Sequence, residues 1–255
     1  MSKILLLDIE TAPKVAYVWE FFKANISPKQ VLDHGHIMSY AAKWLDSDDI
    51  LYFENRKSND KRIVKNLCAL LDEADIVIAH NGRRFDLPMI NARAVVHGLS
   101  PPSPYKIIDT LKAAKGSLKL ERYSLEYLAQ VLGCTPKLTK GKFPGFELWL
   151  ECLRNNNEAW EELMEYNIQD VRTLEEVYIK LRPWIKNHPN VAIYKEHNKP
   201  SCTKCGSDHV HLRGYYYSSV GKYRKYKCLD CGGWNSSRYS QYPKDASKEL
   251  LKNAN

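Results

Sequence analysis

The sequence predicts an α/β protein, a mixed sheet covered by helices on both faces, with a small separate module after it. Three observations predict it. Strand-like runs come first, at residues 3–9 (KILLLDI), 36–45 (HIMSYAAKWL) and 50–54 (ILYFE). Helical and strand-like patterns then alternate as far as residue 182. Residues 201–240 follow neither pattern and carry four of the seven cysteines.

The elements can be justified in order. Only a few residues separate the second and third runs, too few for a crossover helix, so these strands form a hairpin. Lys61–Leu71 has apolar residues at 63, 64, 67, 70 and 71, the spacing of one helix face, and ADIVIAHN (74–81) is a short β-branched strand. A helix over about 86–97, a strand at 106–109 (KIID) and a helix from Ser124 to Leu132 follow, the last opened by the cap-like SLE. Lysine and glycine punctuate PKLTKGKFPG, so residues 133–146 read as a basic loop. A long helix over about 157–181 stops before Pro183. The resulting organisation is a main domain at 1–182, a Pro-bounded linker at 183–200, a cysteine module at 201–240 and a polar tail at 241–255.

A chain of 255 residues with 44% hydrophobic and 27% charged residues has the composition of a globular protein with a real core. The apolar run Ile4–Leu7 is too short for a signal-peptide core or a membrane span, and an intracellular, cytoplasmic protein is expected. Charge is uneven. Residues 1–200 carry 28 Lys+Arg against 26 Asp+Glu and residues 201–255 carry 10 against 4, so the tail supplies +6 of the net +8. Either a polyanionic partner, nucleic acid before membrane, or simple solubility accounts for such a tail.

In LLLDIET (5–11), Asp8 and Glu10 stand two apart and share a strand face. Read alone, the pair can be a strand ending in water with Thr11 capping a helix; read with other acids, it can hold a cation. Asp86 lies in HNGRRFDLPMI just beyond a strand end, and Asp170 lies in EYNIQDVRTLEEVY with Tyr166 one helical turn earlier. Phosphodiester hydrolysis requires an activated water and neutralised phosphate charge, which two divalent ions held by carboxylates supply.

DIET, HNGRRFD and YNIQD, in this order and spacing, resemble the three motifs of the DEDD superfamily of 3′-to-5′ exonucleases, in its tyrosine-bearing branch. The resemblance covers about residues 1–182 and implies a ribonuclease-H-like fold with a mixed five-stranded sheet. It also implies two Mg²⁺ or Mn²⁺ ions: Asp8 bridging both, Glu10 and Asp170 on the water-activating ion, Asp86 on the second, and Tyr166 orienting the water. Thr11 and Asn81 are expected near the substrate, with Phe85 belonging to the same motif and packed as support. Asp109 in DTL is expected to cap a helix rather than bind metal. Lys137, Lys140 and Lys142 are candidate phosphate contacts, or simply a solvated loop.

CTKCG (202–206) and CLDCG (228–232) give Cys202, Cys205, Cys228 and Cys231 the spacing of a closed tetrahedral site for one structural Zn²⁺. Gly206 and Gly232 permit the positive φ such turns need. The module resembles a zinc ribbon. Between its knuckles, cations that include Arg224 and Lys225 interleave with five tyrosines, the ingredients of single-strand binding, although several rings are also expected to cover the knuckles.

The expectation is a free-standing, metal-dependent 3′-to-5′ exonuclease releasing nucleoside 5′-monophosphates. DNA is favoured because the second motif looks most like polymerase-associated exonucleases. The ribbon is expected to hold nucleic acid or to dock a replication or repair partner. An RNA-trimming exonuclease and a non-catalytic nucleic-acid-binding scaffold are the alternatives.

Overall fold

The computed structural model describes residues 2–135, 141–196, 198–243, 245 and 248–252. It divides into two compact units, Lys3–Tyr178 and the chain from Ile179 onward.

In the first unit the strands are β1 (Ile4–Thr11), β2 (Val15–Ala16), β3 (Val31–Asp33), β4 (Ile37–Trp44), β5 (Ile50–Glu54), β6 (Ile76–Ala79) and β7 (Lys106–Asp109). The helices are α1 (Lys61–Glu73), α2 (Asp86–Val96), α3 (Thr110–Ser117), α4 (Leu125–Leu132), α5 (Glu147–Leu153) and α6 (Asn157–Leu181), which ends just inside the second unit. The main sheet has the order β5-β4-β1-β6-β7. β4 is antiparallel to both β1 and β5, whereas β6 is parallel to β1 and β7, giving the expected mixed five-stranded sheet.

Alternation along β1 decides which helices lie where. Leu5, Leu7 and Ile9 point into one core with Ile63, Val64, Leu67 and Leu71 of α1 and Leu87 and Ile90 of α2. Their even-numbered neighbours, Asp8 and Glu10 among them, face the other way. A second cluster there joins Met38 of β4 to Leu148, Cys152, Ala159, Trp160 and Leu163 of α5 and α6. Residues 159, 160, 163, 167, 170, 171, 173, 174, 177, 178 and 181 of α6 are buried, a 3.6-residue stripe that carries its polar members Asn167, Asp170 and Thr173 inward.

Three elements exceed the sequence expectations: α3, α5 and the two-stranded β2–β3 ribbon. Asp109 is the N-cap of α3, its carboxylate accepting from the Lys112 N–H, as expected of it. Ser124 caps α4 in the same way. Among the described residues no helix is long and apolar enough to cross a membrane.

The second unit contains β8 (Val210–Tyr217), β9 (Lys222–Cys228) and β10 (Trp234–Ser236), an antiparallel sheet in the order β10-β9-β8. Cys228 pairs with Val210 at one end of the β8–β9 hairpin and Tyr216 with Tyr223 toward the other. Tyr215, Tyr216 and Tyr217 are exposed and do not cover the knuckles, whereas Tyr223 and Tyr226 are half-buried. The register places Tyr216 and its partner Tyr223 five strand positions, roughly 17 Å, from Cys228, and Tyr226 only two.

Candidate active site

β1 does not stop before its acids. Asp8 pairs with Ala41 and Glu10 with Ser39 of β4, so both carboxylates project from a rigid, paired strand. A register shift follows between Glu10 and Thr11, ending the regular ladder one residue beyond the pair. α6 brings Asp170 to them: oxygens of Asp8, Glu10 and Asp170 all lie within 4.8 Å of one another. Three carboxylates at that separation repel, and a hard divalent cation is the natural way to hold them together.

Two side chains outside the sequence-derived set hold these acids in place. Asn167 is fully buried, and its Nδ2 donates to Asp8 Oδ2 at 2.7 Å while its Oδ1 accepts from Ser39 Oγ at 3.0 Å. Trp149 of α5 donates its indole N–H to Glu10 Oε2 at 3.1 Å and sets its ring edge-on to Tyr166, with centroids 6.1 Å apart. A signal for Asn167 was present, since it stands three residues before Asp170 on one helix face. Nothing in the sequence around Trp149 singles it out.

Asp86 is placed differently. β6 pairs with β1 only as far as Leu6↔Ile78, which leaves the next β1 amide on that side, Ile9 N–H, without a strand partner. Asp86 Oδ1 accepts it at 3.2 Å. Gly82 allows the tight turn that leads from β6 to Asp86, because a Cβ there would meet Ala79 Cβ at 2.4 Å. Asp86 therefore lies beside the strand bearing the pair but is not among the three acids whose oxygens converge. Burial pushes its carboxyl up to about 7; hydrogen bonds from its own N–H and that of Ile9 oppose this, and the charge of Asp109 adds to it. A carboxyl so disposed gains strongly from a nearby cation.

The remaining candidates are less uniform. Asn81 adopts φ 63°, and its N–H donates to Asp109 Oδ1, so its backbone anchors the turn leading to Asp86. Phe85 is 42% exposed and is not packed support; Leu87 and Ile90, on the inner face of α2, fill the core instead. Lys142 ion-pairs with Glu158 on an exposed surface, a weak restraint that a phosphate can displace. Lys137 and Lys140 lie outside the described residues. In the second unit Lys225 sits 5.2 Å over the Trp234 ring, and Lys222 sits 4.0 Å over Tyr215, whose strand partner is Arg224.

The four cysteines converge as their spacing predicted. Cys202 Sγ lies 3.6 Å from Cys231 Sγ, and Cys205 Sγ lies 3.6 Å from Cys228 Sγ. Four sulfurs about 2.3 Å from a tetrahedral zinc ion would stand roughly 3.8 Å apart, so the set fits Zn²⁺. Gly206 (φ +77°) and Gly232 (φ +74°) make the two equivalent turns. Backbone amides of Lys204 and Gly233 point at Cys202 and Cys231 sulfurs at 3.4 Å, as befits thiolates.

The profile of the RNase_H superfamily matches residues 30–182, more than half of the chain. The chain belongs to the RNase_H superfamily. The matched span of this RNase_H-superfamily chain contains Asp86, Tyr166 and Asp170, while Asp8 and Glu10 precede it. A DNA polymerase of Methanocaldococcus jannaschii is 27% identical over 135 residues, 45% of this chain and 8% of that protein. The PolC-type DNA polymerase III of Thermotoga maritima is 32% identical over 146 residues, 53% of this chain and 10% of that one. The chain thus spans a tenth or less of the length of these curated relatives. The solved family B DNA polymerase of Pyrobaculum calidifontis shares the fold, with a TM-score of 0.54 over 72% of this chain and 26% of that one at 16% identity.

Proposed function

We propose that the protein is a metal-dependent 3′-to-5′ exonuclease that removes nucleoside 5′-monophosphates from a nucleic-acid strand, DNA in preference to RNA. The observation that carries this reading is the convergence of Asp8 and Glu10, on the central strand of the sheet, with Asp170 of α6 within 4.8 Å. Asp8, Glu10 and Asp170 would hold one Mg²⁺ or Mn²⁺, with Asp8 and Asp86 assigned to a second. Bound there, such ions would make water nucleophilic near neutral pH and neutralise phosphate charge.

The chain's own groups supply orientation. Asn167 fixes the Asp8 carboxylate and Trp149 that of Glu10, so neither acid has to be ordered when substrate arrives. Tyr166, held edge-on by Trp149, is assigned to position the attacking water through its phenol. Polarity follows from the three sequence motifs, and the DNA preference is supported by the names of the polymerase relatives. The second unit, organised by a structural Zn²⁺, is assigned to hold the strand with Lys222, Arg224 and Lys225 beside exposed tyrosines.

The test follows a 5′-labelled single-stranded DNA and its RNA copy, incubated in Mg²⁺ or Mn²⁺ with wild type and Asp8→Ala. A ladder of shortening products from wild type alone, faster on DNA, is the expected result. Intact strands under both metals, with a band shift indifferent to Asp8→Ala, would mean a binding protein on a nuclease fold.

A further inference from the structure

Beyond Thr11 the chain leaves β1 and returns to β4 on an ordered stalk. Ala12 N–H donates to His36 O at 2.9 Å, Val15 pairs with Asp33 and Ala16 with Val31, and Tyr17 N–H donates to Gln30 O at 2.9 Å. A capping box between Ser27 and Gln30 closes the upper turn, and Gln30 Nε2 donates to Tyr17 O at 2.9 Å. The tip carries three rings almost wholly in water: Trp19 is 99% exposed, Phe21 92% and Phe22 86%. Burial drives such rings inward unless a partner covers them, so three separately exposed rings presented on a built stalk mark a contact surface.

Two observations name the partner. Lys14, Lys23 and Lys29 accompany the rings along residues 13–36, against Glu20 and Asp33, which is the mixture of cations and π-faces that holds single-stranded nucleic acid. The stalk is also rooted at the residue following Glu10, one of the converging acids. Eight residues at ~3.4 Å each place Trp19 within ~27 Å of Thr11. At ~3.4 Å per stacked nucleotide that reach is about eight nucleotides. A cleft of about 280 Å³ lined by Trp19, Glu20, Lys23, Asn25 and Ile26, but not by Phe21 or Phe22, lies at the tip.

We propose that Trp19, Phe21 and Phe22 form a stacking platform for bases of the single strand led to the acid cluster, within about eight nucleotides of the bond that is cut. This rests on the nuclease reading above. The rings hold the strand by their faces, without base specificity, while the lysines meet its phosphates.

The binding arm uses the full-length Asp8→Ala protein and a labelled twelve-nucleotide DNA strand, so it needs no turnover. Trp19→Ala/Phe21→Ala/Phe22→Ala should weaken binding at least tenfold, each lost stack being worth roughly 5- to 150-fold. Trp19→Phe, which keeps a ring, should retain most of the affinity, and an unchanged melting temperature would show that the fold is intact. In the active background the triple variant should raise KM for the twelve-mer and leave hydrolysis of a dinucleotide, too short to reach the tip, unchanged. Equal affinities, or an equal defect on the dinucleotide, would overturn the platform and leave the rings to a protein partner. If wild type cuts neither substrate the nuclease reading fails, while the binding comparison still decides the platform.

Discussion

Asn167 decides whether Asp8 is a floating charge or a fixed ligand. Its amide joins Asp8 on β1 to Ser39 on β4 from a fully buried position on α6, so three elements meet in one side chain. Removing it takes a hydrogen bond from the buried Ser39 hydroxyl and another from the half-buried Asp8 carboxylate, and a buried polar group that loses its partner costs about 1–3 kcal/mol. The larger effect belongs to the metal, because groups that orient ligands tune affinity by roughly 10- to 100-fold. Asn167→Ala should therefore raise the Mn²⁺ concentration for half-maximal activity by about that factor, and Asn167→Ser, which keeps a donor, should recover part of it. A variant that melts earlier but needs no more metal than wild type would reduce Asn167 to a packing role.

The elements that place the acids rest on a second buried carboxylate, far from the chemistry in sequence. Asp60 stands at the N-cap of α1 but makes no cap hydrogen bond. Its fully buried carboxylate instead accepts from Arg93 at 2.7 and 2.8 Å, from the His97 ring at 2.5 Å and from Ile37 N–H at 2.9 Å, tying α1, α2 and the start of β4 together. Burial alone would raise its pKa; the hydrogen bonds from Arg93, His97 and Ile37 outweigh burial and hold it below 3.8. A depressed folded value means that this contribution is present above the ordinary carboxylate range and is lost as pH falls through the folded value. Asp60→Asn should cost about 3–5 kcal/mol near neutrality, or on the order of 10 °C in Tm. Below pH ~4 the gap to wild type should narrow. A constant difference down to strongly acid pH would show that the network does not titrate. The sequence showed α1, α2, β4 and β6 clearly because each has a full hydrophobic period. It did not show β2 and β3, too short for any period, or α3, whose only buried residues are Thr110 and Ala114. Motif spacing likewise revealed Asp8, Glu10, Asp170 and the four cysteines, whereas Trp149 acts across 139 residues from an unpatterned helix.

At the scale of the molecule, charge and chemistry are divided between the two units. The acids that converge on β1 and α6 lie in residues with nearly balanced charge, whereas residues 201–255 carry +6 before metal binding. Four thiolates around a Zn²⁺ would contribute a net −2, so the folded ribbon would keep about +4. Its cations cluster on β9, as Lys222, Arg224, Lys225 and Lys227, next to exposed rings on β8. If that strand grips the phosphate backbone, each neutralised phosphate steepens the fall of log K with log salt by about 0.7 for a single strand. Replacing all four cations by glutamine in the full-length protein should then flatten the slope by about 3 and weaken binding most at low salt. Lys222, Arg224 and Lys225 lie three or more positions from Cys228, and Lys227, next to it, has an exposed side chain that is no ligand, so cysteine-bound zinc should remain stoichiometric in the variant. An unchanged slope with zinc in place would assign strand binding to the first unit alone. In that case the aromatic tip beyond β1 and the ion-paired Lys142 would be left as contacts for the substrate.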